Sequence, residues 1–258
     1  WDPFDKTGIA PPLAMYYFNE PLYGYYSSKD PWVVKKHIEL FISAGIDFLA
    51  IDVSNNEIYI DSLTVLLDTL EAFRQAGWDV PKVVFYTNLE SGKTVKLLYN
   101  LFYKKGLYRD LWFYGPYDKP LIVAHKNELE EEIADFFYIR PAQWPGFEYE
   151  VYEDGFPFCD LNRPQRIHQN LINVSVAQHT AYVFSFGVKE DPRFTPRDIN
   201  HGRGYTSENN TNGDVDAILR GANIQEQWDY AISQDPEIVF VTGWNEWATN
   251  KRAPESEE

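Results

Sequence analysis

Residues 236–250 read Pro-Glu-Ile-Val-Phe-Val-Thr-Gly-Trp-Asn-Glu-Trp-Ala-Thr-Asn, and this segment determines how the rest of the chain is interpreted. The β-branched and aromatic residues at 238–242 predict a strand that is buried on both faces. The strand runs directly into Gly-Trp-Asn-Glu-Trp, in which Trp244 and Trp247 flank Glu246. A carboxylate between aromatic rings loses part of its hydration, which raises its pKa and favours proton transfer. The segment therefore predicts a strand end that carries a candidate acid.

The order of helix, glycine, apolar strand and polar strand end recurs along the chain. Asp30 and Pro31 are typical of a helix start, and Gly45 is typical of a helix end. The apolar segment 48–51 then predicts a buried parallel strand, and polar residues begin at Asp52. Other predicted strands are 82–86, 120–124, 135–140, 174–179, 238–247 and a weak one at 13–18, with helices at 61–75, 91–105, 127–134 and 221–234.

Alternating helices and strands predict an α/β fold with a parallel sheet. A length of 258 residues is typical of one (β/α)8 TIM barrel. The predicted strands are one short of eight, so the first strand is expected upstream of Trp1 unless another lies within 146–172. We expect a single barrel domain over 1–247 and a disordered tail over 248–258. An open doubly wound sheet is the alternative, but no G-x-G-x-x-G sequence follows a predicted strand.

Composition excludes several classes of function. The formal net charge of −16 argues against binding nucleic acid or an anionic membrane surface, because both require a cationic footprint. The one cysteine, Cys159, allows no internal disulfide, and the five histidines lack a metal-binding spacing. No apolar run is long enough to span a membrane. We therefore expect no cofactor, no metal and no membrane span, while the oligomeric state is not predicted.

The polar and aromatic residues at the predicted strand ends are typical of a carbohydrate site. In a parallel barrel all strand C-termini emerge on one face, where active sites are built. Carboxylates at separate strand ends suit glycosidic acid–base catalysis, so Glu246 is the candidate acid and Asp52 its candidate partner. Amides and aromatic rings suit sugar hydroxyls and ring faces. The predicted substrate-binding residues are Asn55, Asn88, Trp144, His179, His201, Tyr205, Trp244, Asn245 and Trp247.

Most of these residues also have a purely structural interpretation. Asp52 would cap the turn that follows its strand. Asn55 and Asn88 would hydrogen-bond their own loops, His179 would be a core histidine, and Trp144 would only pack. Glu246 is the hardest to explain in this way, because a buried carboxylate without a partner is costly.

Several segments, in their order along the chain, resemble bacterial proteins called glycoside hydrolase family 71/99-like. The resemblance implies a (β/α)8 barrel that acts on a polysaccharide or glycan. It also implies export, so we expect a secreted, periplasmic or cell-surface location, although no signal peptide is visible. The segments that carry the resemblance are 20–26 (EPLYGYY), 30–33 (DPWV), 44–49 (AGIDFL), 174–179 (VSVAQH), 225–228 (QEQW) and 241–247 (VTGWNEW).

One position departs from the pattern of family 99. In that family the strand-end Asn-Glu-Trp is followed by His-Glu, and the two glutamates act on α-mannosides through the substrate's 2-hydroxyl. Glu246 matches the first glutamate, but Thr249 occupies the position of the second. The resemblance therefore leaves the family 99 mechanism and the mannosidic substrate open. The family-like proteins also carry a strand upstream of the 20–26 segment.

Three functions remain open at this point. The first is a glycoside hydrolase that uses Glu246 and Asp52. The second is a glycan-binding barrel that has lost catalysis, which the threonine at position 249 favours. The third is a metal-dependent hydrolase that uses Asp52, His125 and His179, side chains of the kind that bind transition metals.

Overall fold

The computed structural model describes residues 15–17, 20–145, 150–160, 162–176, 204–208 and 215–250. The predicted site residues His179 and His201 lie outside these ranges. The strands are β1 (Met15–Tyr17), β2 (Phe48–Asp52), β3 (Lys82–Tyr86), β4 (Leu121–Val123), β5 (Tyr138–Arg140), β6 (Ala142–Gln143), β7 (Phe156–Pro157), β8 (Ile167–His168), β9 (Leu171–Ser175), β10 (Ile238–Thr242) and β11 (Ala248–Asn250). The α-helices are α1 (Pro31–Ser43), α2 (Ile60–Gln75), α3 (Ser91–Leu98), α4 (Glu131–Phe136), α5 (Val215–Leu219) and α6 (Ala222–Gln234).

The first helix begins and ends where its sequence predicts. The Asp30 carboxylate accepts a hydrogen bond from the Trp32 backbone N–H at 2.9 Å, and Pro31 occupies the first helical turn, where a missing N–H is harmless. Gly45 follows the helix with a φ of 66°, a left-handed conformation that glycine adopts without strain. The α1 helix is therefore fixed at both ends before the chain enters β2.

Parallel pairing dominates the sheets, as the alternation of helices and strands predicts. The order β2-β3-β4-β5 is parallel throughout, β6 pairs in parallel with β7, and β9 pairs in parallel with β10. Only Pro141 separates β5 from β6, so one length of chain passes from pairing with β4 to pairing with β7. Two pairs are antiparallel, β8 with β9 and β1 with β11. The α/β class is confirmed.

The parallel strands surround a common apolar interior. Within β3, Val84 and Tyr86 join this interior, whereas Val83 and Phe85 pack on the helix side, as a period of two requires. Among the described strands the backbone ladder is interrupted between β7 and β9 and between β10 and β2. A closed (β/α)8 barrel therefore stays a prediction. The interior is formed by Phe48, Val84, Tyr86, Leu121, Val123, Tyr138, Ala142, Phe156, Leu171, Ile238 and Phe240.

The segment 146–172 contains two strands that the sequence pattern misses, β7, which pairs in parallel with β6, and β8, which pairs antiparallel with β9. Phe156 and Pro157 form β7, which is too short to show alternation and includes a proline. The strand predicted to start at residue 174 in fact begins at Leu171. Asn173 is part of this strand, and its side-chain amide donates to the Phe240 carbonyl of β10. Asparagine is uncommon in strands, so its presence interrupts the run of apolar residues by which a buried strand is recognised in the sequence.

Two predicted elements are shifted along the chain. The helix predicted at 127–134 is replaced by α4, which begins at Glu131, because Glu130 has an extended backbone (φ −64°, ψ 142°). Phe136, predicted to be in a strand, ends this helix, and β5 starts only at Tyr138. Runs of acidic residues favour a helix without fixing where it starts.

The chain ends of the described structure also differ from prediction. Residues 13–18 were expected to supply a barrel strand, but β1 pairs antiparallel with β11 and belongs to none of the three sheets that contain parallel pairs. Residues 248–250 form β11 and are therefore not part of a disordered tail. The remaining predicted tail, 251–258, lies outside the described residues.

Candidate active site

Asp52 ends strand β2, Glu246 lies beyond the end of β10, and the charge of Asp52 acts on Glu246. Asp52 is the last residue of β2, and its Oδ1 accepts a hydrogen bond from the Ser54 backbone N–H at 2.9 Å. The predicted capping role of Asp52 is thus present, and it engages one of the two carboxylate oxygens. Glu246 lies beyond the end of β10, and the negative charge of Asp52 acts on it. Asp52 thus lies close enough to Glu246 for its charge to act on the Glu246 carboxyl group, while a joint catalytic role of the two stays a prediction.

The environment of Glu246 raises the pKa of its carboxyl group. Burial of the carboxylate is the larger cause, and the charge of Asp52 adds to it. Much of the Glu246 side chain nevertheless remains exposed, so the carboxyl group is both accessible and easier to protonate than in water. This combination is what a general acid requires.

Tyr86 is the neighbour of Asp52 on the adjacent strand. It pairs with Asp52 in the β2–β3 ladder and is 2% exposed. Its hydroxyl donates to the Phe156 carbonyl at 3.0 Å, which ties β3 to β7 across the interior. Burial, followed by the charges of Cys159 and Asp52, raises the pKa of this phenol well above its usual value. Tyr86 therefore stays neutral, and its role is structural.

Trp244 turns toward helix α1. Its indole Nε1–H donates to His37 Nδ1 at 2.6 Å, and its ring lies 4.6 Å from that of Phe41, centroid to centroid. The ring is 51% exposed, so one part contacts α1 while another faces solvent. The sequence predicts Trp244 as a substrate-binding residue but gives no sign of this contact, because His37 lies 207 residues away.

Asn88 and His125 form a second polar group at the ends of β3 and β4. His125 Nε2 and Asn88 Oδ1 are 3.0 Å apart, and the His125 backbone N–H donates to the Ser91 hydroxyl at 3.0 Å. Asn55 Nδ2 donates to the Tyr59 hydroxyl at 3.3 Å. The structural interpretation of Asn55 thus holds within its loop, while Asn88 bridges to the neighbouring strand.

The remaining described substrate-binding candidates have the following surroundings. Trp144, after β6, packs its half-buried ring 4.6 Å from the Phe158 ring at a tilt of 31°. Tyr205 is half-buried, and its carbonyl accepts from the Asn223 amide at 3.3 Å. Asn245 is exposed and Trp247 is half-buried. A role of these side chains in sugar binding stays a prediction.

A buried asparagine fixes the strand from which Glu246 departs. Asn173, which is fully buried on β9, donates to the Thr242 hydroxyl at 2.8 Å and to the Phe240 carbonyl at 3.1 Å. Thr242 in turn donates to the Phe158 carbonyl at 2.6 Å. These bonds connect the end of β10 to the chain after β7, where the backbone ladder is interrupted. The sequence analysis did not identify Asn173 or Thr242 as important.

A cavity of about 340 Å³ lies elsewhere, on the flank of α6. Asp52 and Glu246 do not line this cavity. Its lining residues are Arg163, Pro164, Gln165, Ser207, Glu226, Asp229, Tyr230 and Ser233.

Two further properties concern the part of the chain that the structure describes. Within it, no group of three or more His, Cys, Asp or Glu side chains is arranged to hold a metal ion. The metal hypothesis also requires His179, which is outside this part. No described helix has the length and apolar character needed to cross a membrane.

Comparison with known proteins reveals similarity in fold. No family model matches the sequence, and no curated protein matches it either. A GH99 endo-α-mannosidase from Bacteroides thetaiotaomicron has a similar structure, with a TM-score of 0.52 and 17% identity over 88% of this chain and 71% of that one. The same enzyme in complex with bis-tris-propane gives a TM-score of 0.46 and 16% identity over 88% and 75%. The chain thus has a fold similar to that of a TIM-barrel glycoside hydrolase.

Proposed function

We propose that this protein is a glycoside hydrolase in which Glu246 is the general acid and Asp52 is the second catalytic carboxylate. The observation that carries the proposal is the raised pKa of Glu246, which burial and the neighbouring Asp52 produce together at a strand end. Two carboxyl groups with different environments are the usual basis of glycosidic bond cleavage. The similar fold of a GH99 endo-α-mannosidase supports the reaction class but not the substrate.

Each carboxyl group has a defined part in the proposed reaction. Protonated Glu246 donates its proton to the glycosidic oxygen as the bond to the anomeric carbon breaks. The Asp52 carboxyl group acts on the opposite side of the sugar ring, either as a nucleophile on the anomeric carbon or by deprotonating the attacking water. The threonine at position 249 makes a partner from another strand necessary, because it cannot serve as the second carboxylate.

The proposal is tested by Glu246→Gln on a panel of α- and β-linked glycans, with products identified by mass spectrometry. Loss of the proton donor is expected to lower kcat/KM by about 10²–10⁴-fold. Aryl glycosides with strongly acidic leaving groups need no protonation, so the variant should retain much more activity on them. Full activity of Glu246→Gln on natural glycans would overturn the assignment.

Glu237→Gln is the matched control. Glu237 precedes β10, at the end opposite Glu246, and accepts a hydrogen bond from Asn170 at 2.5 Å. Its replacement also removes one carboxylate charge next to β10, but at the strand end far from Glu246. Activity should stay near that of the wild type.

The second candidate function is a glycan-binding barrel without catalysis. It is favoured by Thr249 at the position of a family 99 glutamate. Calorimetry with the same panel would then give binding, while prolonged incubation would release no product.

An export location, implied by the sequence resemblance, is also a proposal, and cell fractionation with an antibody to this chain tests it.

A further inference from the structure

The imidazole of His37 lies inside a cluster of aromatic rings that connects helix α1 to the loop carrying Glu246. The rings of Tyr23 and Tyr26 each lie 5.5 Å from it, and the ring of Trp244 lies 5.8 Å from it, centroid to centroid. Phe41, one turn along α1, contacts both His37 and Trp244. Trp244 precedes Glu246 by two positions, so this cluster anchors the chain beside the candidate acid.

The hydrogen bond within the cluster determines the protonation state of His37. An indole N–H is only a donor, so His37 Nδ1, at 2.6 Å from Trp244 Nε1, must be an unprotonated acceptor. The proton of the neutral ring is then on Nε2, which is buried and has no hydrogen-bond partner among the described residues. A proton added to Nδ1 would place two donors against each other and break the contact.

We propose that His37 is a positioning residue for Glu246: its neutral ring holds Trp244 and thereby the 243–247 loop, and protonation of Nδ1 releases both. The inference rests on the proposed function only in naming Glu246 as the residue whose position matters. The bond between His37 and Trp244 stands independently of any activity. Because the ring of Phe41 still packs on Trp244, release shifts the loop without unfolding the site.

The charges around His37 favour the neutral ring. The loop before α1 presents the phenol rings of Tyr23 and Tyr26. On α1, Lys36 is paired with Glu39 at 2.7 Å. The loop after β10 presents the uncharged Trp244, and Glu246 beyond it has a raised pKa. Burial lowers the pKa of the His37 imidazole.

Nuclear magnetic resonance of the indole N–H groups tests the inference directly. The Trp244 signal is assigned by its loss in Trp244→Phe, and Trp78, which is 53% exposed, is the internal reference. In the wild type the Trp244 signal should be shifted by its hydrogen bond at neutral pH. As His37 takes up a proton, the Trp244 signal should move to the position of an exposed indole. The amide signals of Asn245 and Glu246 should shift over the same pH range.

Two substitutions separate positioning from general packing. Asparagine offers a carbonyl oxygen near the place of Nδ1 and does not titrate, so His37→Asn should keep the bonded Trp244 signal and remove its pH dependence. His37→Phe keeps a ring but has no acceptor, so the signal should be unbonded at every pH. The kcat of His37→Phe should fall by about 10–10²-fold with KM little changed, because small displacements of a catalytic group are costly. His37→Asn should restore it.

The outcomes distinguish this inference from the proposed function. A Trp244 signal that ignores the titration of His37, or wild-type kcat and pH profile in His37→Phe, would overturn the positioning role and leave the hydrolase proposal standing. A protein that cleaves no glycan would overturn the hydrolase proposal. The resonance and amide shifts would then still decide whether His37 holds the 243–247 loop. Glu39→Gln, on the exposed face of the same helix, should match the wild type throughout.

Discussion

The ring of Phe48 lies parallel to the ring of Phe240, with centroids 6.5 Å apart and planes inclined by only 2°. Phe48 begins β2 and Phe240 lies within β10, and these strands share no backbone ladder among the described residues. The edge of Phe156 meets Phe240 at 4.8 Å and joins β7 to the same group. Side chains thus hold together the two strands whose ends carry Asp52 and Glu246.

Removing one of these rings should therefore destabilise the fold. Phe240→Ala leaves a cavity between Phe48 and Phe156, and we expect the free energy of unfolding to fall by about 3 kcal/mol. Urea denaturation measures the change. Tyr117→Ala, at a side chain that is 90% exposed, should shift stability by less than about 0.5 kcal/mol. Equal effects of the two substitutions would mean that the rings do not connect the strands.

The charge of Asp52 should be visible in the titration of Glu246. A neighbouring negative charge raises the pKa of a carboxyl group, so Asp52→Asn should lower the pKa of Glu246. The pKa should still remain above its ordinary value, because burial is the larger cause. Carboxyl ¹³C resonances, assigned with Glu246→Gln, report the shift. Asp47→Asn, just before the opposite end of β2, is the control, and an identical titration in both variants would refute the interaction.

The parts of the fold that the sequence predicts are those fixed by local chemistry. The Asp30–Pro31 helix start needs only neighbouring residues, and β3 is a continuous apolar run between turn signals. β7 was missed because a ladder of two residues, one of them Pro157, shows no periodicity. Its place is determined by distant partners such as the hydroxyl of Tyr86, which no local pattern reveals.

The same distinction applies to the candidate site. The raised pKa of Glu246 was predicted from its aromatic neighbours, and its direction is confirmed. The contact between Trp244 and His37 could not be predicted, because it joins distant parts of the chain. Burial along α6 likewise does not follow from side-chain polarity alone. Ile232 is 67% exposed, while Gln227 is fully buried.

Stability should depend on pH through His37. Burial lowers the pKa of the folded-state imidazole below its unfolded value of about 6.5, so the unfolded chain binds more protons between the two values. The contribution of the neutral ring is therefore complete above about pH 6.5 and is lost as the pH falls toward the folded-state pKa. The free energy of unfolding of the wild type should therefore fall relative to that of His37→Asn, which does not titrate, as the pH decreases over this interval. Parallel stability curves would contradict the prediction.

Gln227 should be essential to the packing of α6 because it replaces a missing strand partner. Its amide accepts from the Ser175 N–H at 2.9 Å and donates to the Ser175 carbonyl at 3.0 Å, at the end of β9. Leucine would fill a similar volume but remove both hydrogen bonds to the buried backbone of Ser175, so Gln227→Leu should cost about 2–4 kcal/mol. Gln225→Leu, on the exposed face of the same helix, removes only a surface bond to Asp229 and should cost less than about 0.5 kcal/mol. Chemical denaturation measures the loss in unfolding free energy for both variants. Equal losses would show that the backbone groups of Ser175 do not depend on Gln227.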